Sequence, residues 1–229
     1  MEKFNYKTLF SLRGKTVFIV GGLGLIGREL VKACSQNSAK VVVLDIEKKS
    51  NIKIDNVFIR YFNCSTPKNL EAAFDSITKE FGCPDVYINC SYPKTKKWKN
   101  SSFKENTFDR YQKNIEIHLN SYVWLAKLVA NLMVSENKKG SIIQFGSIYG
   151  LLGQDNSIYD GTEMQENMTY SVIKGGIVNF SRQMASYFGK YQIRINTVCP
   201  GGISDDGQNA TFINQYSNKV PLGRMGNKQ

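Results

Sequence analysis

The sequence predicts an α/β fold with one doubly wound parallel sheet, and three observations support this. Short apolar runs of strand length alternate with segments that have the periodicity of amphipathic helices. The first run leads directly into a glycine-rich turn that is followed by a helical segment. The 229 residues, of which 41% are hydrophobic and 21% charged, suit one sizeable core. We therefore expect a single Rossmann-like domain over residues 1–229.

The predicted strands and helices follow one another in the order that a parallel sheet requires. Strands are predicted at 15–20, 40–44, 57–62, 85–89, 141–145 and 193–198. Helices are predicted to start at Pro67, where proline is tolerated, and to cover 107–136 and 170–189. Each helix can therefore cross from one strand to the next.

Composition argues against several classes of protein. The five cysteines are odd in number and contain no C-x-x-C pair, which favours reduced thiols over a disulfide framework or a metal site. No run approaches the roughly 20 apolar residues of a membrane span, and the first residues do not resemble a signal peptide. The net charge of +11 is spread along the chain, which favours a solvated basic surface over a nucleic-acid footprint. We expect a cytoplasmic protein that binds no metal, nucleic acid or membrane.

The glycine-rich turn after the first strand predicts nucleotide binding. Gly21 permits the tight turn, Gly24 lets a pyrophosphate approach the backbone, and Gly27 lets helix and strand pack closely. A diphosphate then lies at the helix N-terminus, where free N–H groups favour an anion. Because a strand and a helix flank the glycines, we favour nucleotide binding over a plain turn.

Asp45, at the end of the second predicted strand, indicates which nucleotide is bound. A carboxylate about 20 residues beyond the glycines accepts hydrogen bonds from the adenosine ribose and repels a 2′-phosphate. No arginine follows Asp45 immediately, although Lys48 and Lys49 are near. The predicted cofactor is NAD, and NADP is the less favoured alternative.

Tyr170 and Lys174 are four residues apart, so their side chains lie one turn apart on the same face of a helix. An ammonium beside a phenol favours the phenolate. We therefore expect Lys174 to lower the pKa of Tyr170 from about 10 toward the range of a general acid or base. The spacing alone is weak, because it occurs by chance in many helices.

Five motifs in the correct order resemble the short-chain dehydrogenase/reductase family over nearly the whole chain. Val20 replaces the threonine of the family's T-G-x-x-G-x-x-G turn, and only Asn89 is retained from its N-N-A-G motif. The glycine turn corresponds to residues 20–27, and Asn89 stands in the place of the N-N-A-G motif. Ser147 matches the catalytic serine of the family, and Tyr170 with Lys174 matches its Y-x-x-x-K motif. Residues 196–201 match the N-x-V-x-P-G motif.

The resemblance implies that a nicotinamide cofactor transfers a hydride while the protein handles one proton. It implies that Tyr170 exchanges that proton with the substrate oxygen and that Ser147 hydrogen-bonds the same oxygen. Lys174 would lower the pKa of Tyr170 and hold the nicotinamide ribose. The residues that the resemblance places at the cofactor are Gly21, Gly24, Leu25, Ile26, Gly27, Asp45, Asn63, Cys64, Asn89, Tyr170, Lys174, Pro200, Gly201 and Ile203.

Two positions depart from the family pattern. His118, the only histidine, aligns with an asparagine that the family has in the helix after its fourth strand. A neutral imidazole can hold a water for proton relay, so His118 is a catalytic candidate beside a purely structural role. Asn114 and Asn120 are alternatives, but each needs a shift in register. Asn63 replaces an aspartate near the adenine, which weakens one expected hydrogen bond.

Two segments are candidates for contact with the substrate. The stretch 151–169 is longer than usual in the family, and a long loop inside a compact domain is more often functional. The candidate side chains at this rim of the site are Tyr159 and Glu163 in the stretch and Tyr149 just before it. The run 94–104 contains five lysines, for which a solvated loop is favoured over a site for an acidic sugar or a nucleotide diphosphate.

Together these features predict an NAD(H)-dependent oxidoreductase that interconverts a hydroxyl and a carbonyl. Short features at 92–93, 147–150, 159–162 and 200–203 resemble oxidoreductases of flagellin and surface-polysaccharide modification, so the expected substrate is a sugar or sugar-derived acid. The alternatives are a 3-oxoacyl thioester reductase and a nucleotide-binding protein without turnover. Residues 220–226 resemble the segment before the family's last helix and strand. We therefore expect a sheet without that strand, and a homo-oligomer if the missing segment is present.

Overall fold

A computed structural model describes residues 6–47 and 54–229. The strands in these ranges are β1 (Thr16–Val20), β2 (Lys40–Asp45), β3 (Val57–Tyr61), β4 (Val86–Asn89), β5 (Ser141–Phe145) and β6 (Arg194–Val198). They form one sheet in the order β3-β2-β1-β4-β5-β6, and every neighbouring pair is parallel. The predicted doubly wound α/β fold is therefore confirmed.

Helices connect these strands. In the described ranges they are α1 (Leu25–Gln36), α2 (Leu70–Phe81), α3 (Phe108–Asn114), α4 (Asn120–Ser135), α5 (Met168–Phe188) and α6 (Ala210–Asn218). The helix predicted over 107–136 is present as α3 and α4, but a π turn at Ile115–Leu119 interrupts it. Pro67 begins a 3₁₀ turn, Pro67–Asn69, directly before α2. No helix in the described ranges is long and apolar enough to cross a membrane.

Apolar layers on both faces of the sheet explain why its strands read as continuous apolar runs. On one face Phe18 of β1 packs in the same cluster as Leu125 of α4. On the other face Val17 and Val43 pack with Val31 of α1. These five side chains are fully buried, and burial of each contributes about 1.5–3 kcal/mol. The two layers fix the sheet from which the loops project.

The strand order reverses between β1 and β4, and the reversal opens a crevice at the carboxyl edge of the sheet. The loops that follow β1, β4, β5 and β6 all reach this crevice. The fold therefore brings together segments that are more than a hundred residues apart in the chain.

Candidate active site

A cavity of about 900 Å³ lies in this crevice, within the roughly 300–1,000 Å³ that is usual for ligand sites. Its wall contains twelve of the predicted site residues: Gly21, Gly24, Leu25, Ile26, Asp45, Cys64, Ser147, Tyr170, Lys174, Pro200, Gly201 and Ile203. Four others, Gly27, Asn63, Asn89 and His118, are not part of the wall. The structure thus brings most of the predicted residues to one cavity and places the rest outside its lining.

The glycine turn is held by contacts that leave no room for side chains. Gly21 has φ +77°, and a Cβ there would lie 2.6 Å from the Cα of Ser91. A Cβ at Gly27 would lie 2.1 Å from the carbonyl oxygen of Gly21. The helix α1 begins at Leu25, and no side chain caps its N-terminus through Gly24. The N–H groups of this end can therefore receive an anion from the cavity.

Asp45 connects the end of β2 to the glycine turn. Its Oδ2 accepts a hydrogen bond from the Leu23 N–H at 2.9 Å, and its Oδ1 accepts one from the Glu47 N–H at 3.2 Å. The carboxylate thus lies at the edge of the cavity and also holds the turn. Lys48 and Lys49, which the sequence places near Asp45, lie outside the described residues.

Two asparagines predicted at the cofactor instead organise the backbone behind the wall. The Oδ1 of Asn63 accepts a hydrogen bond from the Ser65 N–H at 2.9 Å. Asn89 is fully buried, and its Oδ1 accepts from both the N–H (3.2 Å) and the hydroxyl (2.7 Å) of Ser91. Their contacts shape the wall, while Cys64 and Ser91 line it.

Ser147, Tyr170 and Lys174 come together because the turn after β5 packs directly on α5. A Cβ at Gly150, in that turn, would lie 2.7 Å from the backbone carbonyl carbon of Lys174. The helix α5 is capped by Asn167, whose Oδ1 accepts a hydrogen bond from the Tyr170 N–H at 2.9 Å. The Lys174 ammonium donates to the carbonyl oxygen of Phe145 at 2.9 Å. The close contact fixes the serine and the tyrosine on facing elements.

The expected effect of Lys174 on the pKa of Tyr170 is not found. Burial raises the pKa of Tyr170, and the hydrogen bond to the Ser147 side chain only opposes this shift. The Nζ of Lys174 lies 5.7 Å from the tyrosine ring centroid, and burial lowers the pKa of Lys174 itself to about 8. The expectation was wrong because desolvation is a property of the folded environment that residue spacing does not contain.

His118 is completely buried in the π turn. Its ring lies 5.3 Å from the Tyr92 ring and 5.6 Å from the Tyr122 ring, measured between centroids. Neither ring nitrogen has a hydrogen-bond partner among the described residues. Burial and then the nearby Lys174 charge lower the pKa of His118 well below its usual value, and the Pro93 backbone opposes them. The imidazole is therefore neutral at physiological pH.

The two asparagines that are alternatives to His118 have other environments. Asn114 is buried, but its Oδ1 accepts a hydrogen bond from the Thr95 N–H at 3.2 Å. Asn120 is exposed on the first turn of α4. His118 packs against Tyr92, which lines the cavity.

A group of aromatic side chains in the cavity lining, the aromatic wall, is the part of the site that the sequence reveals least. Besides Tyr149 and Tyr159, which were predicted, it includes Tyr92, Phe212 and Tyr216. The rings of Tyr159 and Phe212 are stacked with centroids 5.9 Å apart, and the Tyr216 hydroxyl accepts a hydrogen bond from the Gly202 N–H at 2.6 Å. The helix α6, which carries two of these rings, was not predicted.

The predicted substrate-contact residues divide between the cavity and the surface. Glu163 is exposed and is not part of the cavity wall. Lys96, Lys97 and Lys99 are likewise exposed and outside the wall, as the solvated-loop interpretation expects. Lys94 is the member of this run that lines the cavity.

Comparison with known families gives a match over most of the chain. The pattern of the family described as short chain dehydrogenase matches residues 15–215. The post-translational flagellin modification protein A of Campylobacter coli is 28% identical, over 90% of this chain and 83% of that protein. L-rhamnose-1-dehydrogenase of Scheffersomyces stipitis is 27% identical, over 94% and 84%. The 3-oxoacyl-[acyl-carrier-protein] reductase FabG of Vibrio cholerae is 28% identical, over 94% and 86%.

A solved structure is similar over the whole chain. A short chain dehydrogenase from Leptospira borgpetersenii, with bound NAD+, has a TM-score of 0.86 and 31% sequence identity. The match covers 100% of this chain and 86% of that one. The similarity therefore includes both the glycine turn and the segment that carries the aromatic wall.

Proposed function

Because this chain belongs to the short-chain dehydrogenase family and is an oxidoreductase that acts on CH–OH groups, we propose that it uses NAD(H) to interconvert a hydroxyl and a carbonyl on a sugar or sugar-derived acid. The observation that carries the proposal is that Ser147, Tyr170 and Lys174 line the same cavity as the glycine turn. When bound, the nicotinamide supplies or accepts the hydride.

The residues present fit a dinucleotide. The uncapped N-terminus of α1 offers N–H groups to a pyrophosphate, and the absence of side chains at Gly21 and Gly24 lets it approach. Each oxygen of the Asp45 carboxylate accepts one backbone hydrogen bond and can accept another from a ribose hydroxyl. Its negative charge disfavours a 2′-phosphate, which supports NAD over NADP. Pro200, Gly201 and Ile203, with Cys64, complete the wall that would hold the cofactor.

The protein's own chemistry in this proposal is proton transfer. Burial keeps Tyr170 protonated at neutral pH, so its hydroxyl can donate a proton to a carbonyl oxygen that is being reduced. Ser147 supplies a second hydrogen bond to that oxygen. In this proposal Lys174 holds the nicotinamide ribose, and its hydrogen bond to the Phe145 carbonyl oxygen supports that role by fixing the ammonium at the cavity. His118 is a positioning residue, because its neutral ring packs against Tyr92 without adding a charge beside Lys174.

The name of one relative supports a sugar substrate, and the name of another agrees with the flagellin modification that the sequence resemblance indicates. The Scheffersomyces stipitis relative is named for oxidation of L-rhamnose, and the Campylobacter coli relative for flagellin modification. The aromatic wall adds physical support, since flat rings suit the C–H faces of a sugar. The rival substrate is a 3-oxoacyl thioester, favoured by the Vibrio cholerae relative of equal identity.

The proposal is tested by carbonyl-dependent oxidation of NADH with the purified protein. We expect turnover on keto-sugars, and Tyr170→Phe should reduce kcat by about 10²-fold or more because the proton donor is lost. The dissociation constant for NADH should stay within about twofold of wild type in this variant. Tyr187→Phe, which removes an exposed hydroxyl from the same helix, is the matched control.

Other outcomes of this assay identify the alternatives. If the protein reduces an acetoacetyl thioester but no keto-sugar, the substrate is a 3-oxoacyl thioester and not a sugar. If it binds NADH but reduces neither compound, it is a nucleotide-binding protein without turnover. Equal KM values for NADH and NADPH would contradict the role given to Asp45.

A further inference from the structure

Tyr92 gives the cavity an aromatic face next to Tyr170, the candidate proton donor. The Tyr92 ring lies 6.1 Å from the Tyr170 ring and 5.7 Å from the Trp98 ring, in edge-to-face geometry. Although it also packs on His118, Tyr92 keeps 45% of its surface exposed, and it lines the cavity. A group attached to the carbon that reacts at Tyr170 would therefore meet this ring.

A free cation lies beside the same ring. The Nζ of Lys94 is 5.7 Å from the Tyr92 ring centroid, and Lys94 lines the cavity. Among the described residues the cavity has one other lysine, Lys174, whose ammonium already donates to Phe145. Lys94 makes no ion pair or hydrogen bond with any part of the chain that the structure describes. Its charge is thus available to a ligand.

The carboxylates of the cavity do not cancel this charge directly. Asp45 is engaged at the glycine turn, and Glu47 lies 3.6 Å from Arg28. Asp205, on the segment after β6, accepts a hydrogen bond from the Asp206 N–H. None of the three forms a salt bridge with Lys94 in the described structure. An anionic group of the substrate is the natural partner for this ammonium.

We propose that Tyr92 and Lys94 determine the substrate specificity of this cavity, with Tyr92 stacking on the C–H face of a ring-shaped hydroxy compound and Lys94 binding its carboxylate. This rests on the proposed function and narrows it to acidic sugars. The rings of Tyr149 and Tyr159 line the same cavity, so they add apolar surface for the ring of the substrate. The neighbouring Lys96, Lys97 and Lys99 lie outside the wall and do not take part.

The test measures binding of two sugars to the NAD+-loaded protein by calorimetry, with D-galacturonate and D-galactose as probes. Wild type should bind the acid at least about tenfold more tightly than the neutral sugar, as expected for one charge-assisted contact. Lys94→Gln should remove this difference and leave D-galactose binding unchanged. Lys97→Gln makes the same charge change outside the wall and should alter neither affinity. Tyr92→Leu should weaken both sugars about equally, whereas Tyr92→Phe should retain both.

The proposal is overturned if wild type binds the two sugars equally or does not bind the acid. It is also overturned if Lys94→Gln and Lys97→Gln have the same effect, or if Tyr92→Leu binds like wild type. An unchanged NADH affinity and circular dichroism spectrum in each variant show that the fold is intact. Failure of the proposed function would appear elsewhere: sugar acids would bind normally, but no reduction of NAD+ by them would be observed.

Discussion

The two halves of the cavity are held by different kinds of contact. In the glycine-turn half, residues 20–27 with Asp45, backbone atoms lie so close that a Cβ at Gly27 has no space. In the aromatic half, residues 149–160 with 200–216, side chains from distant segments meet, as in the stack of Tyr159 on Phe212. A half built from backbone contacts cannot absorb a substitution at its glycines. A half built from side-chain contacts can change one ligand contact at a time.

Gly27→Ala should disrupt the glycine-turn half, and of the three substitutions it should have the largest effect on stability and NADH binding. The added Cβ would lie 2.1 Å from the Gly21 carbonyl oxygen, so the turn or α1 must move. We expect a loss of about 3 kcal/mol or more in the free energy of unfolding and loss of measurable NADH binding. Urea unfolding and NADH titration are the measurements. Gly153→Ala is the control, because its Cβ meets nothing within 4 Å, and a similar loss there would contradict this steric account.

Lys174 lines the cavity but belongs to neither half, and its burial predicts a pH dependence. Because the pKa in the folded state is lowered to about 8, below the unfolded value of about 10.4, the unfolded chain binds more protons between these pH values. The contribution of Lys174 to stability therefore rises with pH across this window, by roughly 1 kcal/mol per pH unit. Other groups titrate there too, so the measured quantity is the stability difference between wild type and Lys174→Met from pH 7 to 9.5. Parallel curves would contradict the burial of the charge.

Phe212→Leu should have the smallest effect of the three substitutions, and it tests whether the aromatic half can change without the glycine-turn half. It removes the stack on Tyr159, worth about 0.5–1.5 kcal/mol, but leaves the glycine turn untouched. We expect the KM of the sugar substrate to rise about threefold to tenfold, while the dissociation constant for NADH stays within about twofold. Phe108→Leu, at an exposed phenylalanine that is not part of the cavity wall, is the control. A change in NADH affinity in Phe212→Leu would show that the two halves are not independent.

The sequence predicted the sheet and the glycine turn because both depend on local features. Apolar runs such as 16–20 are buried on both faces of the sheet, so they carry their own signal. The turn needs glycine for steric reasons that act within a few residues. The same holds for the spacing of Tyr170 and Lys174, which places both side chains at the cavity.

The remaining features depend on contacts that no local pattern encodes. Tyr92 and Phe212 reach one cavity from segments more than a hundred residues apart. The helix α6 has only nine residues, and its apolar side chains, Phe212, Ile213 and Tyr216, form a stripe too short to predict the helix. The direction of the shift in the Tyr170 pKa depends on burial by the folded chain. Lys94 is exposed like the other lysines of the run, and only its position in the fold places it on the cavity wall.

The contact at Gly150 has a consequence for how this site can change over generations. The hydroxyls of Ser147 and Tyr170 stand on separate elements, and a residue with no side chain keeps those elements in contact. A substitution of Gly150 by alanine would leave every catalytic motif intact. The added methyl group, however, would push the turn that carries Ser147 away from α5. A descendant of this protein could thus lose its catalytic activity while its sequence still contained all the motifs of an enzyme.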